Sequence, residues 1–267
     1  MSGHITVTVL CVLGFAFLYV PVIVIIANAF NADSTMIRWG GFTTDWIVVA
    51  LGNERFLTSL GTSFIIAVVT GLLAVFIAFL GAVGRRSLRS PTIGSLDDVL
   101  VLVRLVLPIV VIVMAIFLTS RVADLPLGIP LIVGAQLVYS TAYAFLVINS
   151  RLSQLNVAYE DAARDLGAKP IVVFSRITFP LVLPSIIVAF LMVFTFSLDD
   201  VVSPTFLAGP SVSTLPTMMM SLIRHGATAE VNAIALLAML FSLVPLFVAL
   251  TFTGVKGISS VGARRRS

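Results

Sequence analysis

Long apolar runs alternate along this chain with short charged segments. Runs free of Asp, Glu, Lys and Arg occupy residues 5–32, 56–84, 125–150, 177–198 and 231–255. A sixth, 105–120, lies between Arg104 and Arg121 and is extended by residues 99–103. A helix rises 1.5 Å per residue, so about 20 apolar residues cross a bilayer core. Arg104 can then reach an interface on its flexible stem. The pattern predicts six transmembrane helices. The first run lacks a basic leader, its apolar stretch is longer than a signal peptide's, and no small-x-small site follows promptly. It is expected to stay as a helix.

Composition sharpens this picture. Hydrophobic residues make up 59% of the 267 positions and charged ones 10%, against about 45–50% and about 25% in soluble domains. A soluble enzyme, a disordered tail and a nucleic-acid-binding module are excluded. The mean hydropathy of +1.15 also exceeds what the alternating strands of outer-membrane barrels produce. The expectation is an all-α membrane protein, a single transmembrane domain over residues 1–267. Cys11 is alone, so there is no disulfide framework, and it reads as a small core hydrophobe.

Six spans put both termini on one side. That side holds Arg85, Arg86, Arg89, Arg104, Arg151, Arg164, Lys169, Arg176, Lys256, Arg264, Arg265 and Arg266, which is twelve of the sixteen basic residues. Arg38, Arg55, Arg121 and Arg224 lie opposite. The positive-inside rule places both termini in the cytoplasm. The net charge of +4 is thus mainly a signal of topology, not of nucleic-acid binding.

Residues 151–180 form the longest charged stretch. Asn156 can cap a helix, Glu160 and Asp161 suit its first turns, and Gly167 suits the position just past its end. Pro170 suits the first turn of a second arm, with Ile171, Phe174 and Ile177 on one face. A cytoplasmic helix–turn–helix is expected, each arm near ten residues. Isolated helices that short are marginal in water, so the element must pack on a partner protein or under its own bundle.

Asp161-Ala162-Ala163, Gly167 and Ile177-Thr178-Phe179-Pro180 resemble the EAA loop of ABC importer permeases: Glu-Ala-Ala, three residues, Gly, nine residues, Ile-x-Leu-Pro. Asp161 stands for Glu and Phe179 for Leu, and Glu160 is an alternative source of the acidic contact. Residues 17–34, 141–152, 194–210 and 214–235 are similar to spermidine/putrescine importer permeases, with Ala229 where that family usually has Pro. The chain looks like the second permease of such a system. The resemblance implies a type I ABC importer permease fold in a bacterial cytoplasmic membrane. It implies a second homologous permease, an ATPase dimer docked on the EAA loops, and an outer substrate-binding protein. ATP with Mg would be used by the ATPase subunits, with no cofactor, metal or nucleic acid bound by this chain. The sequence itself lacks a Gly-x4-Gly-Lys-Ser/Thr loop and any Cys/His cluster.

Counting from Leu181, Asp199 lies about 27 Å along the fifth span, near its outer end. Asp199 and Asp200 are either cation-compensating groups on the pathway or a solvated helix end. Tyr139 and Tyr143 can stack on an alkylammonium or serve the aromatic belt and core. Trp39 and Trp46 suit either a binding-protein contact or interfacial anchoring. The Met218-Met219-Met220 run suits packing better than docking. Polyamine cargo is the favoured reading. Its rivals are another cationic or small organic solute in the same architecture, an intramembrane enzyme, and a passive channel. A channel needs no ATPase dock, and an enzyme needs ionisable pairs that only Asp199-Asp200 offer.

Overall fold

Backbone polar groups in hydrocarbon must be satisfied within their own segment, so apolar runs of this length become helices. The computed structural model describes residues 2–88, 99, 101–104, 106–226 and 228–253. Of the basic positions counted above, Arg89, Lys256, Arg264, Arg265 and Arg266 lie outside these residues, as do 254–255 of the last run. The described helices are α1 (Ser2–Ala29), α2 (Asp45–Gly52), α3 (Glu54–Leu88), α4 (Ile109–Val122), α5 (Ile129–Gln154), α6 (Ala158–Asp165) and α7 (Pro170–Val173). A π turn (Phe174–Thr178) leads into α8 (Phe179–Leu198), followed by α9 (Val202–Leu207), α10 (Leu215–His225) and α11 (Ala229–Thr253). Among the described residues the only bridge of strand type joins Asn31 and Phe42.

Val7–Ala29, Glu54–Ser87, Ile129–Gln154 and Pro170–Leu198 are long and apolar enough to cross a membrane. The third expected span is not continuous. Residues 101–104 are helical, but Pro108 is extended (ψ 134°) and α4 begins only at Ile109. Proline lacks an N–H and disfavours helix in the residue before it, which separates the two pieces. The connections between the expected spans also contain helices: α2 between the first and second runs, α9 and α10 between the fifth run and the last.

The chain divides into two compact units, Met1–Gly61 with Leu215–Phe241 and Thr62–Thr214 with Ser242–Ser267. The first is organised around Asn31, which is 1% exposed. Its side chain accepts the N–H groups of Asp33 and Gly40 at 3.0 and 2.8 Å and donates to the Arg38 carbonyl at 2.9 Å. Its backbone carbonyl accepts Trp46 Nε1–H at 3.0 Å, which makes Trp46 structural, whereas Trp39 stays exposed. Met218 is buried in this unit's core beside Phe56 and Ile234, so packing claims the first methionine of the run. Cys11 is exposed on α1 and not in a core.

The second unit packs α3, α5 and α8. Ala74, Ala78 and Ala82 recur every four residues on α3, and Ala144, Ile148 and Leu152 do so on α5; all are essentially buried. Small residues at that spacing let helix backbones approach closely where no hydrophobic effect drives association. At Gly71 the Phe190 ring of α8 packs so closely on α3 that a Cβ would lie 2.8 Å from it.

Candidate functional site

The 151–180 element folds from local signals. Asn156 Oδ1 accepts the Ala158 N–H at 3.0 Å and opens α6. Gly167 closes it at φ +83°, with its N–H on the Arg164 carbonyl (2.9 Å) and the Ala168 N–H on the Ala163 carbonyl (3.0 Å). This bond pair is the Schellman arrangement, in which glycine takes the left-handed position without steric penalty. The second arm is not a separate helix. From Pro170 it runs through the π turn into α8, so 170–198 forms one 29-residue span.

Glu160 and Asp161 diverge because neighbouring helical side chains point about 100° apart. Glu160 turns inward and is 9% exposed. It accepts Arg86 Nη2–H at 3.0 Å and the Thr178 hydroxyl at 2.8 Å, with Arg164 at 3.6 Å. Arg86 also donates to the Leu152 carbonyl. One carboxylate thus joins α6 to the end of α3 and to the π turn. Asp161, matched above to the acidic position of the EAA pattern, is exposed and pairs only with Arg164 among the described residues. Ala162 is exposed and Ala163 half-buried; Ile177 is half-buried in the π turn, and Pro180 is exposed in the first turn of α8. A cavity of about 640 Å³ opens beside Arg86, Glu160, Asp161, Pro170 and Phe174. Ile171, which also lines it, is 68% exposed, and Tyr159 and Leu166 on the same charged element are 62% and 89% exposed.

A second cleft, about 540 Å³, brings together all four residues expected on a cation path: Tyr139, Tyr143, Asp199 and Asp200. The two carboxylates have different tasks. Asp200 is 7% exposed. Its Oδ1 accepts the N–H groups of Val202 and Ser203 at 2.9 and 3.1 Å and so caps α9. Its Oδ2 accepts Gln136 Nε2–H at 2.9 Å and the Tyr139 hydroxyl at 3.2 Å. All four lone-pair positions of the carboxylate are taken. Asp199 is exposed to the cleft, and its carboxylate has no hydrogen-bond or ion-pair partner among the described residues. Tyr143 meets Phe196 edge to face at 5.3 Å, so its ring is packed and Tyr139 is anchored through its hydroxyl.

Arg104 also lines this cleft. Counted with the inner loops from the sequence, it belongs instead beside the two carboxylates, and eleven basic residues remain against four. Sequence reasoning missed Gln136 altogether. It is fully buried, and its Oε1 accepts the Thr70 hydroxyl of α3 at 3.0 Å and the Ser197 hydroxyl of α8 at 2.6 Å. A signal was present: Gln136, Tyr139 and Tyr143 stand at i, i+3 and i+7, one polar stripe on an apolar span.

Residues 74–255 match the family described as "Binding-protein-dependent transport system inner membrane component". The chain is 33% identical to the putrescine transport system permease protein PotI of Escherichia coli K12, covering 86% of this chain and 84% of that one. It is 30% identical to the spermidine/putrescine transport system permease protein PotC of the same organism, covering 86% and 87%. Among solved structures it is similar to a chain of a bacterial ABC transporter that imports the acidic polysaccharide alginate, with a TM-score of 0.73, 18% identity and coverage of 93% and 92%.

Proposed function

This chain belongs to the family of binding-protein-dependent transport system inner membrane components, an ABC importer permease and not an enzyme, and from that premise we propose that its cargo is a polyamine such as putrescine or spermidine. The observation that carries the cargo is the carboxylate of Asp199, unpaired among the described residues, in a cleft with Asp200, on a chain 33% identical to a putrescine permease. A polyamine is a string of ammonium groups, and a carboxylate facing the cleft compensates one of them. Asp200, Tyr139 and Tyr143 shape the wall around it.

In this reading six spans place both termini in the cytoplasm, and a second, homologous permease supplies the other half of the path. An outer binding protein delivers cargo; the exposed Ile37, Trp39 and Phe42 suit its docking. The ATPase dimer, using ATP with Mg, seats on α6 and the arm that follows it, against Tyr159, Leu166 and Ile171. Asp161, Ala162, Ala163, Gly167, Ile177 and Pro180 shape that seat, and Glu160 ties it to the bundle. Closure of the dimer moves the element as a lever, shifting the bundle between inward-open and outward-open packings. Arg104 favours the second reading, in which the cargo carries an anionic group beside its cations. Uptake of labelled putrescine and spermidine by the assembled system, in cells stripped of their own polyamine importers, separates the two. Saturable, ATP-dependent uptake is expected; no uptake of either removes polyamines as cargo and leaves the permease assignment intact.

A further inference from the structure

Four polar side chains are buried together beside the cleft: Thr70 from α3, Gln136 from α5, and Ser197 and Asp200 at the end of α8, none more than 7% exposed. Gln136 is their only shared member. Its carbonyl oxygen takes both hydroxyls and its amide nitrogen holds Asp200. The amide accepts from two hydroxyls through its oxygen and donates to a carboxylate through its nitrogen, all without carrying a charge. An ionised carboxylate in its place would accept but not donate, and a hydrocarbon would deprive the Thr70 and Ser197 hydroxyls of this acceptor and Asp200 of one of its four hydrogen bonds.

We infer that Gln136 is a positioning residue for cargo. By holding Asp200 Oδ2 against α5 and α3 it fixes the break between α8 and α9, and that break presents Asp199 to the cleft. Asp200 has no freedom to turn towards cargo while its lone pairs are filled, so Asp199 meets the cation and Gln136 keeps it there. The inference rests on the transport reading above and deepens it.

The titratable groups around this node are Asp200 and Tyr139, with Asp199, Tyr143 and Arg104 along the cleft wall; α3 and α8 face it with the Thr70 and Ser197 hydroxyls. The test therefore uses Gln136→Glu, which keeps the shape and makes the missing donor depend on a proton. Protonated, the new carboxyl donates to Asp200; ionised, it repels it. Complete complexes in proteoliposomes are assayed for labelled spermidine uptake and for basal and spermidine-stimulated ATP hydrolysis. Between about pH 5.5 and about pH 8, the ratio of Gln136→Glu to wild-type uptake is expected to fall about 10-fold or more. Gln136→Leu is expected to raise the half-saturating spermidine concentration about 10-fold at every pH, with basal ATP hydrolysis kept. A pH-independent ratio for Gln136→Glu, or wild-type half-saturation in Gln136→Leu, overturns the inference. The Gln136→Glu profile decides it even where the leucine variant does not assemble. A cargo-free readout runs in parallel: the rate at which a cationic thiosulfonate modifies Asp199→Cys in a Cys11→Ala background, with and without Gln136→Glu. If the wild type moves no polyamine, the cargo reading fails, and a pH-dependent change in this labelling rate still supports the role of Gln136 while its absence removes it.

Discussion

Two adjacent aspartates with the same chemistry are separated by what surrounds them. Asp199→Asn deletes a charge from a carboxylate with no partner among the described residues, so abundance should stay near wild type. If cargo meets it, a lost charge-assisted hydrogen bond of about 1.5–3 kcal/mol lowers transport roughly 10- to 150-fold. Asp200→Asn acts on the protein itself. Its four hydrogen bonds cap α9 and hold Gln136 and Tyr139, and the substitution should cost about 1–3 kcal/mol of stability. Uptake measured against complex abundance on gels distinguishes them. Equal uptake per complex in wild type and Asp199→Asn would take this carboxylate off the path. Gly167 is the other residue whose part is set by geometry. At φ +83° a branched side chain is strained, so Gly167→Val should misdirect the arm after α6. Cargo-stimulated ATP hydrolysis should be lost in a variant that still folds; normal stimulation would show that this turn does not set the coupling.

At the scale of elements, α6 was legible because its signals are local. Asn156, the acidic first turn and Gly167 each act within a few residues of their own position. Which acidic side chain points inward was not legible, because the answer lies with Arg86 and Thr178, far away in sequence. The same holds for the cleft. Alternation of apolar and charged runs located Asp199-Asp200 at a helix end, but only the start of α9 makes Asp200 its cap. Thr70 carries no charge and vanishes into its hydrophobic run, and Gln136 is marked only by the stripe it shares with Tyr139 and Tyr143. Pro108 interrupts the third span, and a single proline inside an apolar run does not say whether it kinks a helix or ends one. The Arg86–Glu160 pair yields a prediction at this scale. The two side chains are 21% and 12% exposed, too enclosed for the near-zero value of surface pairs. A double-mutant cycle with Arg86→Met and Glu160→Gln, read as thermal stability of the complex, should give a coupling of about 1–3 kcal/mol. Additive single effects would mean that α3 and α6 are not joined by this pair.

At the scale of the whole molecule the remaining question is which side faces the ATPase. Loss of Arg104 from the inner tally leaves the basic asymmetry at eleven to four, and the bias acts within short loops close to span ends. Arg85, Arg86, Arg151, Arg164, Lys169 and Arg176 all fall at or between the ends of α3, α5 and α8 that carry the 151–180 element. The charge rule and the proposed dock therefore point to one face by independent arguments. Ser34, Ser211 and Ser87 are exposed and stand respectively after α1, between α9 and α10, and near the end of α3. In a Cys11→Ala background, a membrane-impermeant thiol reagent added to intact cells should label Ser34→Cys and Ser211→Cys. Ser87→Cys should react only after the membrane is opened. Labelling of Ser87→Cys in intact cells would invert the orientation, put the 151–180 element outside, and deprive it of any access to an ATP-driven partner.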